Sequence, residues 1–347
     1  MAPDTDTPRN LESIGSADEH LDQPARKGRA WKRFRRNPLA VVGLIMVAGF
    51  VLIATLAPVL TELPRSCLRD LELTAANQHD YRNPVKPVFW KAIFAPPKSC
   101  FTIARVSFST QPADAATTKT VLGTTSGGYD IFYGLVWGTR TAFKVGLIVV
   151  GIAFAIGIII GSLSGYIGGV FDNLVMRFTD IVISLPSLVV ALVVVMVLGK
   201  SIENIMLAIA VTAWPSYARL MRGEVLRIKE EEYVAGARAI GRRPLGIIGR
   251  HVLPNAIGPI VIVASLDIGS IVLTAAALSF LGLGAEIGYA DWGQMISFAR
   301  DWILGPPGKP FYFWYVSFWP GLIILLFVLA WNLLGDAFRD VLDPQAK

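Results

Sequence analysis

Four stretches of this 347-residue chain carry no charged side chain over lengths that a water-soluble helix rarely tolerates. Leu39–Leu60 is uncharged for 22 residues, Val145–Phe171 for 27, Ile181–Gly199 for 19 and Pro310–Gly335 for 26. A helix of about 20 mainly apolar residues crosses a ~30 Å hydrocarbon core, so each stretch is expected to span a membrane. Two further stretches are less clean. Asn204–Ala218 holds only 15 residues between Glu203 and Arg219. It is either a span whose ends snorkel to the interface or a buried or re-entrant helix. Val252–Ala285 is long enough but is interrupted by Asp267. Composition supports the membrane class: 53% of residues are apolar and 17% charged, against about 25% charged in soluble domains. So apolar a chain is not disordered over most of its length. Two cysteines, Cys67 and Cys100, are too few for a disulfide scaffold.

The fold class expected is an all-α integral membrane protein with six transmembrane helices, at about 39–60, 144–166, 177–199, 202–221, 256–282 and 315–336. The chain then divides into a tail and interfacial helix (1–38), a first span (39–60), an extracytoplasmic insertion (61–140), a five-helix core (141–336) and a short tail (337–347). Within the core, a cytoplasmic loop covers 222–255.

The net charge of +6 orients the spans. Arg26, Lys27, Arg29, Lys32, Arg33, Arg35 and Arg36 precede the first span. Arg219, Arg222, Arg227, Lys229, Arg238, Arg242, Arg243 and Arg250 lie around the loop between spans four and five. Six spans put both clusters on one side, which the positive-inside rule makes cytoplasmic, with both termini. Basic residues beside apolar spans read as topology, not as a nucleic-acid footprint. The first apolar run is too long for a signal peptide. Trp31 and Phe34, set among basic residues, suit a helix lying on the inner leaflet.

On the outer side, an oxidising environment favours a Cys67–Cys100 bridge over two buried thiols. The three histidines, His20, His79 and His251, fall in separate segments, so no metal site is expected. Gly157, Gly161, Gly165 and Gly169 recur every four residues. They form one face for close helix approach, either within the chain or at a dimer seam. Two carboxylates inside spans are candidates for lining a pathway. Asp180 is about one turn into span three, where it also reaches the cytoplasmic interface beside Arg177. Asp267 lies mid-span, facing either the pathway or an interhelical hydrogen bond. Pro186, Pro215 and Pro320 interrupt spans and act as hinges or bends.

The cytoplasmic loop is the most informative stretch. Glu224–Ile240 reads as one helix. Gly241 is suited to a left-handed cap. Arg242–Val252 reads as a second short helix, and Leu253-Pro254 leads into span five. Ala235, Gly236, Ala237 and Ala239 leave a nearly bare helix side, against which another protein can lie closely.

This loop resembles the coupling loop of bacterial ABC importer permeases, whose pattern is Glu-Ala-Ala, three residues, Gly, nine residues, then Ile-x-Leu-Pro. Ala235-Gly236-Ala237, Gly241 and Leu253-Pro254 stand at those positions; Ala235 replaces Glu and His251 replaces Ile. Arg36-Asn37-Pro38-Leu39-Ala40-Val41-Val42-Gly43-Leu44 is similar to the opening of the C-type permeases of oligopeptide, dipeptide and nickel importers. Leu122-Gly123-Thr124, Trp137-Gly138-Thr139-Arg140, Ala277 to Gly284, Asp291-Trp292-Gly293 and Asn332 to Asp336 continue the likeness in order. Residues 65–115 match nothing in the pattern and read as an insertion.

The resemblance implies a type I ABC importer permease fold with an extracytoplasmic insertion between helices 1 and 2. It implies partners: a homologous second permease, two ABC ATPase subunits and an extracytoplasmic substrate-binding protein, all in or at a bacterial plasma membrane. It assigns ATPase coupling to Glu232, Tyr233, Ala235, Gly236, Ala237, Arg238, Gly241, Arg242, Leu253 and Pro254. The cargo implied is di- or oligopeptide, with nickel or another small solute as the alternative. The chain has no Gly-x-x-x-x-Gly-Lys-Ser/Thr sequence. ATP and Mg²⁺ are therefore expected in the partner ATPases, with this subunit non-catalytic and free of cofactors. An ion-coupled secondary transporter is the rival class. It calls for inverted repeats with broken helices at matching positions, and none is evident.

Overall fold

The computed structural model describes residues 35, 37–63, 65–76, 92–103 and 105–342, without the side chains of 72–76 and 342. Helices of eight residues or more are α1 (Pro38–Leu60), α2 (Arg65–Ala76), α3 (Ile131–Ile167), α4 (Gly169–Ser184), α5 (Ser187–Leu198), α6 (Ile202–Ile228), α7 (Glu232–Ala239), α8 (Leu253–Leu278), α9 (Trp292–Ala299) and α10 (Trp314–Leu342). The described residues include isolated bridges, such as Thr102 with Tyr289, but no named strand.

Four helical stretches are long and apolar enough to cross a membrane: Pro38–Leu60, Ile131–Ile167, Pro244–Leu283 and Trp314–Val341. The α4–α5 pair makes a fifth if counted as one bent span. Helix α6 is long enough at 27 residues, but Glu203, Arg219, Arg222, Glu224 and Arg227 make it too polar to qualify by composition.

Helix α1 begins where expected. Asn37 caps it by accepting from the Leu39 and Ala40 amides, and Pro38 sits at the first turn, where its missing N–H costs nothing. The Asn37 amide also donates to Asp340 at 2.8 Å, tying the start of α1 to the end of α10. The interfacial helix expected over 29–38 lies largely outside the described residues.

Several expected boundaries are corrected. Helix α3 starts at Ile131, capped by Asp130, so its first turns belong to the segment assigned to the insertion. Arg140 does not end the helix because its guanidinium donates to the Ala92 and Ile93 carbonyls. The third expected span is not one straight helix: α4 and α5 meet at 87°. The break falls at Leu185-Pro186, where proline cannot donate and drives the preceding residue into extended backbone. Pro215 and Pro320, by contrast, lie inside continuous helices. Helix α10 runs on to Leu342, through most of the expected C-terminal tail.

Helices α3 and α6 run parallel and close together, and glycine makes the approach possible. A Cβ on Gly157 would lie 2.3 Å from Tyr217 Cβ, and one on Gly161 would lie 2.3 Å from the Ala218 carbonyl. The glycine face therefore packs within the chain. Gly169 does not share it: α3 ends at Ile167, and Gly168 and Gly169 turn the chain with φ of +71° and +62°. Two cores result. One joins α1, α3, α8 and α10 around Phe50, Trp137 and Phe327. The other lies at the end of α6, where Tyr217, Met221, Val225 and Ile228 meet Val234, Ala237, Ile247 and Val252 of the loop. Apolar side chains such as Ile45, Leu174, Val197 and Leu325 remain exposed on the outer faces, as hydrocarbon solvation allows.

Outside the bundle, Cys67 of α2 and Cys100 form a disulfide with Cα atoms 4.6 Å apart. Tyr133 donates to the Cys100 carbonyl at 2.6 Å, and Phe101 packs edge-on to Trp137. The Cys67 and Cys100 segments are thereby seated on the N-terminal end of α3.

Candidate coupling site

The loop between α6 and α8 is built in four short steps. Helix α6 ends at Ile228, and the Lys229 amide closes it on the Val225 carbonyl at 2.9 Å. The single helix expected over Glu224–Ile240 is therefore two, separated by residues 229–231. The break lets α7 leave the α6 axis and bury Val234 and Ala237, three residues apart on one face.

The end of α7 shows why glycine occupies position 241. The Gly241 amide donates to the Arg238 carbonyl at 2.9 Å, and the Arg242 amide donates to the Ala237 carbonyl at 3.2 Å. These are the two bonds of a Schellman cap, which needs a left-handed residue between them. Gly241 supplies it at φ +76°, and a Cβ there would meet nothing within 4 Å. The constraint is backbone conformation, not space.

Beyond the elbow, Pro244 opens a helical turn, Pro244–Ile247. The turn widens into a π segment at Ile248–Val252 and continues as α8 from Leu253. The second helix expected over Arg242–Val252 thus starts two residues later and merges with span five. Pro254 cannot donate to the carbonyl four residues back, and a local π segment is one way to absorb that loss.

Hydrogen bonds tie the loop to the helix ends. Arg238 donates to the Lys229 carbonyl at 3.0 Å and lies 5.6 Å over the Tyr166 ring of α3. Lys229 donates to the Gly165 carbonyl at 3.1 Å. Arg222 makes a bidentate pair with Asp172 of α4 at 2.6 and 2.5 Å, and Ser164 donates to the same carboxylate. In the last turn of α6, a hydrogen bond to the Glu224 carboxylate holds the Arg227 guanidinium above its usual range. Arg242 lies 2.7 Å from His251 Nε2, while Asn255 donates to the His251 carbonyl at 2.7 Å and approaches the Tyr233 hydroxyl at 3.4 Å. An arginine can only donate, so His251 Nε2 is the acceptor in this contact.

The residues singled out in the sequence divide between the two sides of this loop. Ala237 is buried, whereas Glu232, Tyr233, Ala235, Gly236, Arg238, Gly241, Arg242 and Pro254 are exposed and Leu253 is half-buried. Ile240 at 81% exposure and Leu245 at 73% extend the apolar part of that surface. Together these residues form a knob with a nearly bare side, able to enter a cleft on a partner. Asp172, Arg222, His251 and Asn255 were not singled out as site residues; a charged residue directly after the Val145–Phe171 run was the available signal for Asp172. Asp180 pairs with Arg219 at 2.7 Å and is half-exposed. Asp267 accepts from Tyr217 of α6 at 2.7 Å, an interhelical hydrogen bond. Neither shares the loop's surface.

Comparison with known proteins gives a consistent picture. Residues 157–347 match the model of the binding-protein-dependent transport system inner membrane component. Residues 28–84 match the N-terminal transmembrane domain of oligopeptide transport permease C. The dipeptide transport system permease protein DppC of Alkalihalophilus pseudofirmus is 35% identical over 318 residues, covering 92% of this chain and 90% of the relative. The probable D,D-dipeptide transport system permease protein DdpC of Escherichia coli is 42% identical over 224 residues, 65% of this chain and 73% of the relative. The glutathione transport system permease protein GsiD of Pectobacterium atrosepticum is 40% identical over 227 residues, with the same two coverages. Among solved structures, an inward-facing form of the MetNI methionine ABC transporter superposes with a TM-score of 0.50 at 18% identity, over 61% of this chain and 97% of the other, a likeness of fold. With the permease model spanning more than half its length and the elbow loop in place, this chain belongs to the family of inner-membrane components of binding-protein-dependent transport systems.

Proposed function

We propose that this chain is the permease subunit of an ATP-driven importer of di- or oligopeptides, forming half of the pathway and receiving the ATPase stroke through Gly241. The observation that carries the reading is the knob itself: a Schellman-capped helix whose Tyr233, Ile240 and Leu245 remain uncovered, in a chain 35% identical to a dipeptide permease. In this reading α6 makes the sixth crossing beside α3, and both termini are cytoplasmic. A homologous permease completes the pathway, and a binding protein delivers cargo from outside. Two ATPase subunits clasp residues 232–254 and hold the ATP and Mg²⁺, so this subunit catalyses nothing. ATPase closure pushes the elbow and tips the helices between inward- and outward-facing states. The α3–α6 pair and the Arg222–Asp172 pair make the end of the bundle stiff enough to transmit that push.

The test is reconstitution of this chain in vesicles with a homologous permease, two ABC ATPase subunits and a substrate-binding protein from the same source. ATP-dependent uptake of labelled dipeptide is expected. Uptake of nickel alone, or peptide uptake driven by an ion gradient without ATP, would overturn the reading.

A further inference from the structure

A cavity of about 600 Å³ lies at the outer end of the bundle, between the insertion, α3, the start of α6 and the 285–289 loop. Its size falls in the range of small-molecule sites, about 300–1,000 Å³. The insertion helps to close it. The Ile103 amide donates to the Gly288 carbonyl and the Ala290 amide to the Phe101 carbonyl, both at 2.6 Å. The Phe101 and Tyr289 rings stack 5.7 Å apart and form an apolar wall.

The charges around the cavity are unevenly matched. Lys98 and Lys144 both lie against one oxygen of Glu203, at 3.8 and 3.1 Å. Lys200 and Glu286 also line the space, and neither has an ion-pair partner among the described residues. The wall thus holds three ammonium groups and two carboxylates beside an aromatic face, with Lys200 and Glu286 outside the Glu203 cluster. That combination is complementary to a small zwitterion carrying an apolar side chain.

We propose that this cavity is an entry subsite for a free dipeptide, with Lys200 meeting the carboxylate, Glu286 the α-ammonium and Phe101–Tyr289 a side chain. The proposal rests on the peptide-importer reading above and adds a residue-level basis for selecting peptides with both ends free. Both charged side chains are exposed, so their replacement leaves the packed core intact.

The experiment uses the assembled transporter in nanodiscs with the binding protein withheld. Binding of alanyl-leucine, its N-acetyl form and its C-terminal amide is followed by saturation-transfer NMR. Either cap is expected to weaken binding at least tenfold. Lys200→Gln should erase the preference for a free carboxylate and keep the preference for a free amine; Glu286→Gln should do the reverse. Equal binding of all three ligands, or variants that retain both preferences, would overturn the subsite. Vesicle uptake with the binding protein restored separates the two readings. Peptide import that persists while the variants keep both preferences removes only the subsite. A complete system that imports no peptide removes the importer reading itself.

Discussion

The disulfide-bonded segment between α1 and α3 and the Gly241 elbow both lie outside the apolar bundle, and they hold their shape by opposite means. The α1–α3 segment is fastened covalently at Cys67–Cys100 and pinned to α3 by Tyr133 and Arg140. Its aromatic contacts with Trp137 face inward. The elbow has no covalent tie. It rests on two cap hydrogen bonds, a small cluster of buried side chains including Val234, Ala237, Ile247 and Val252, and a few polar contacts, and it leaves Tyr233, Ile240 and Leu245 uncovered. A cross-link removes freedom from the unfolded chain permanently. A hydrogen bond is worth about 1 kcal/mol net and can break and re-form with each cycle. The contrast is between a brace and a joint; under the proposed function, stiffness lies where cargo would arrive and compliance where force would enter.

The largest effect is expected from breaking the brace. Replacing both cysteines by serine should cost the insertion about 3 kcal/mol of local stability, read as faster proteolysis within 65–103. Basal ATPase activity of the assembled complex should change little. The unmutated protein should take up no maleimide until it is reduced; labelling without reductant would show that the brace is absent.

The joint should respond differently. Gly241→Val forces a β-branched residue into left-handed backbone, at a cost of about 1–2 kcal/mol. Transport should fall steeply and ATPase co-purification should weaken, with membrane insertion and the disulfide unchanged. Gly241→Asn should be milder, because asparagine tolerates that conformation. Normal transport in the valine variant would end the description of Gly241 as a joint.

His251→Ile removes the acceptor for Arg242 and should lower coupled ATPase activity by several-fold, about 1 kcal/mol. His251→Gln, which keeps an acceptor, should recover most of the loss. Identical activities in the two variants would mean that the contact plays no part in setting the elbow. The smallest effect is expected at Asp180. Its pair with Arg219 is half-exposed, and such pairs contribute about 0–1 kcal/mol. Asp180→Asn should shift the melting temperature of the purified complex only slightly; a large drop would mean that surface charge, not the cap, holds this end together.

Much of this architecture is legible along the chain. Uncharged length marks α1, most of α3 and most of α10, and α8 is legible despite Asp267, because hydrocarbon excludes all but isolated charges over a fixed thickness. The helix–glycine–helix order of the elbow is legible because few residues other than glycine enter left-handed backbone without strain. The failures share a cause. Arg140 reads as the edge of a span, yet carbonyls from the insertion satisfy it within α3. The run 177–199 reads as one span with Pro186 as a hinge or bend, but hydropathy does not encode the size of the angle there. Glu224–Ile240 has good helix formers throughout, and burial of Val234 and Ala237 overrides that local preference.

The sequence by itself therefore determined the membrane class, the family and the position of the elbow, all set by local chemistry and spacing. Only the tertiary structure decided which face the glycines serve, that α4 and α5 meet at 87°, that Asp267 faces Tyr217 and that Asp172 receives Arg222. The last two outcomes depend on residues about 50 positions apart in the chain meeting in space, and neither hydropathy nor periodicity encodes such a meeting.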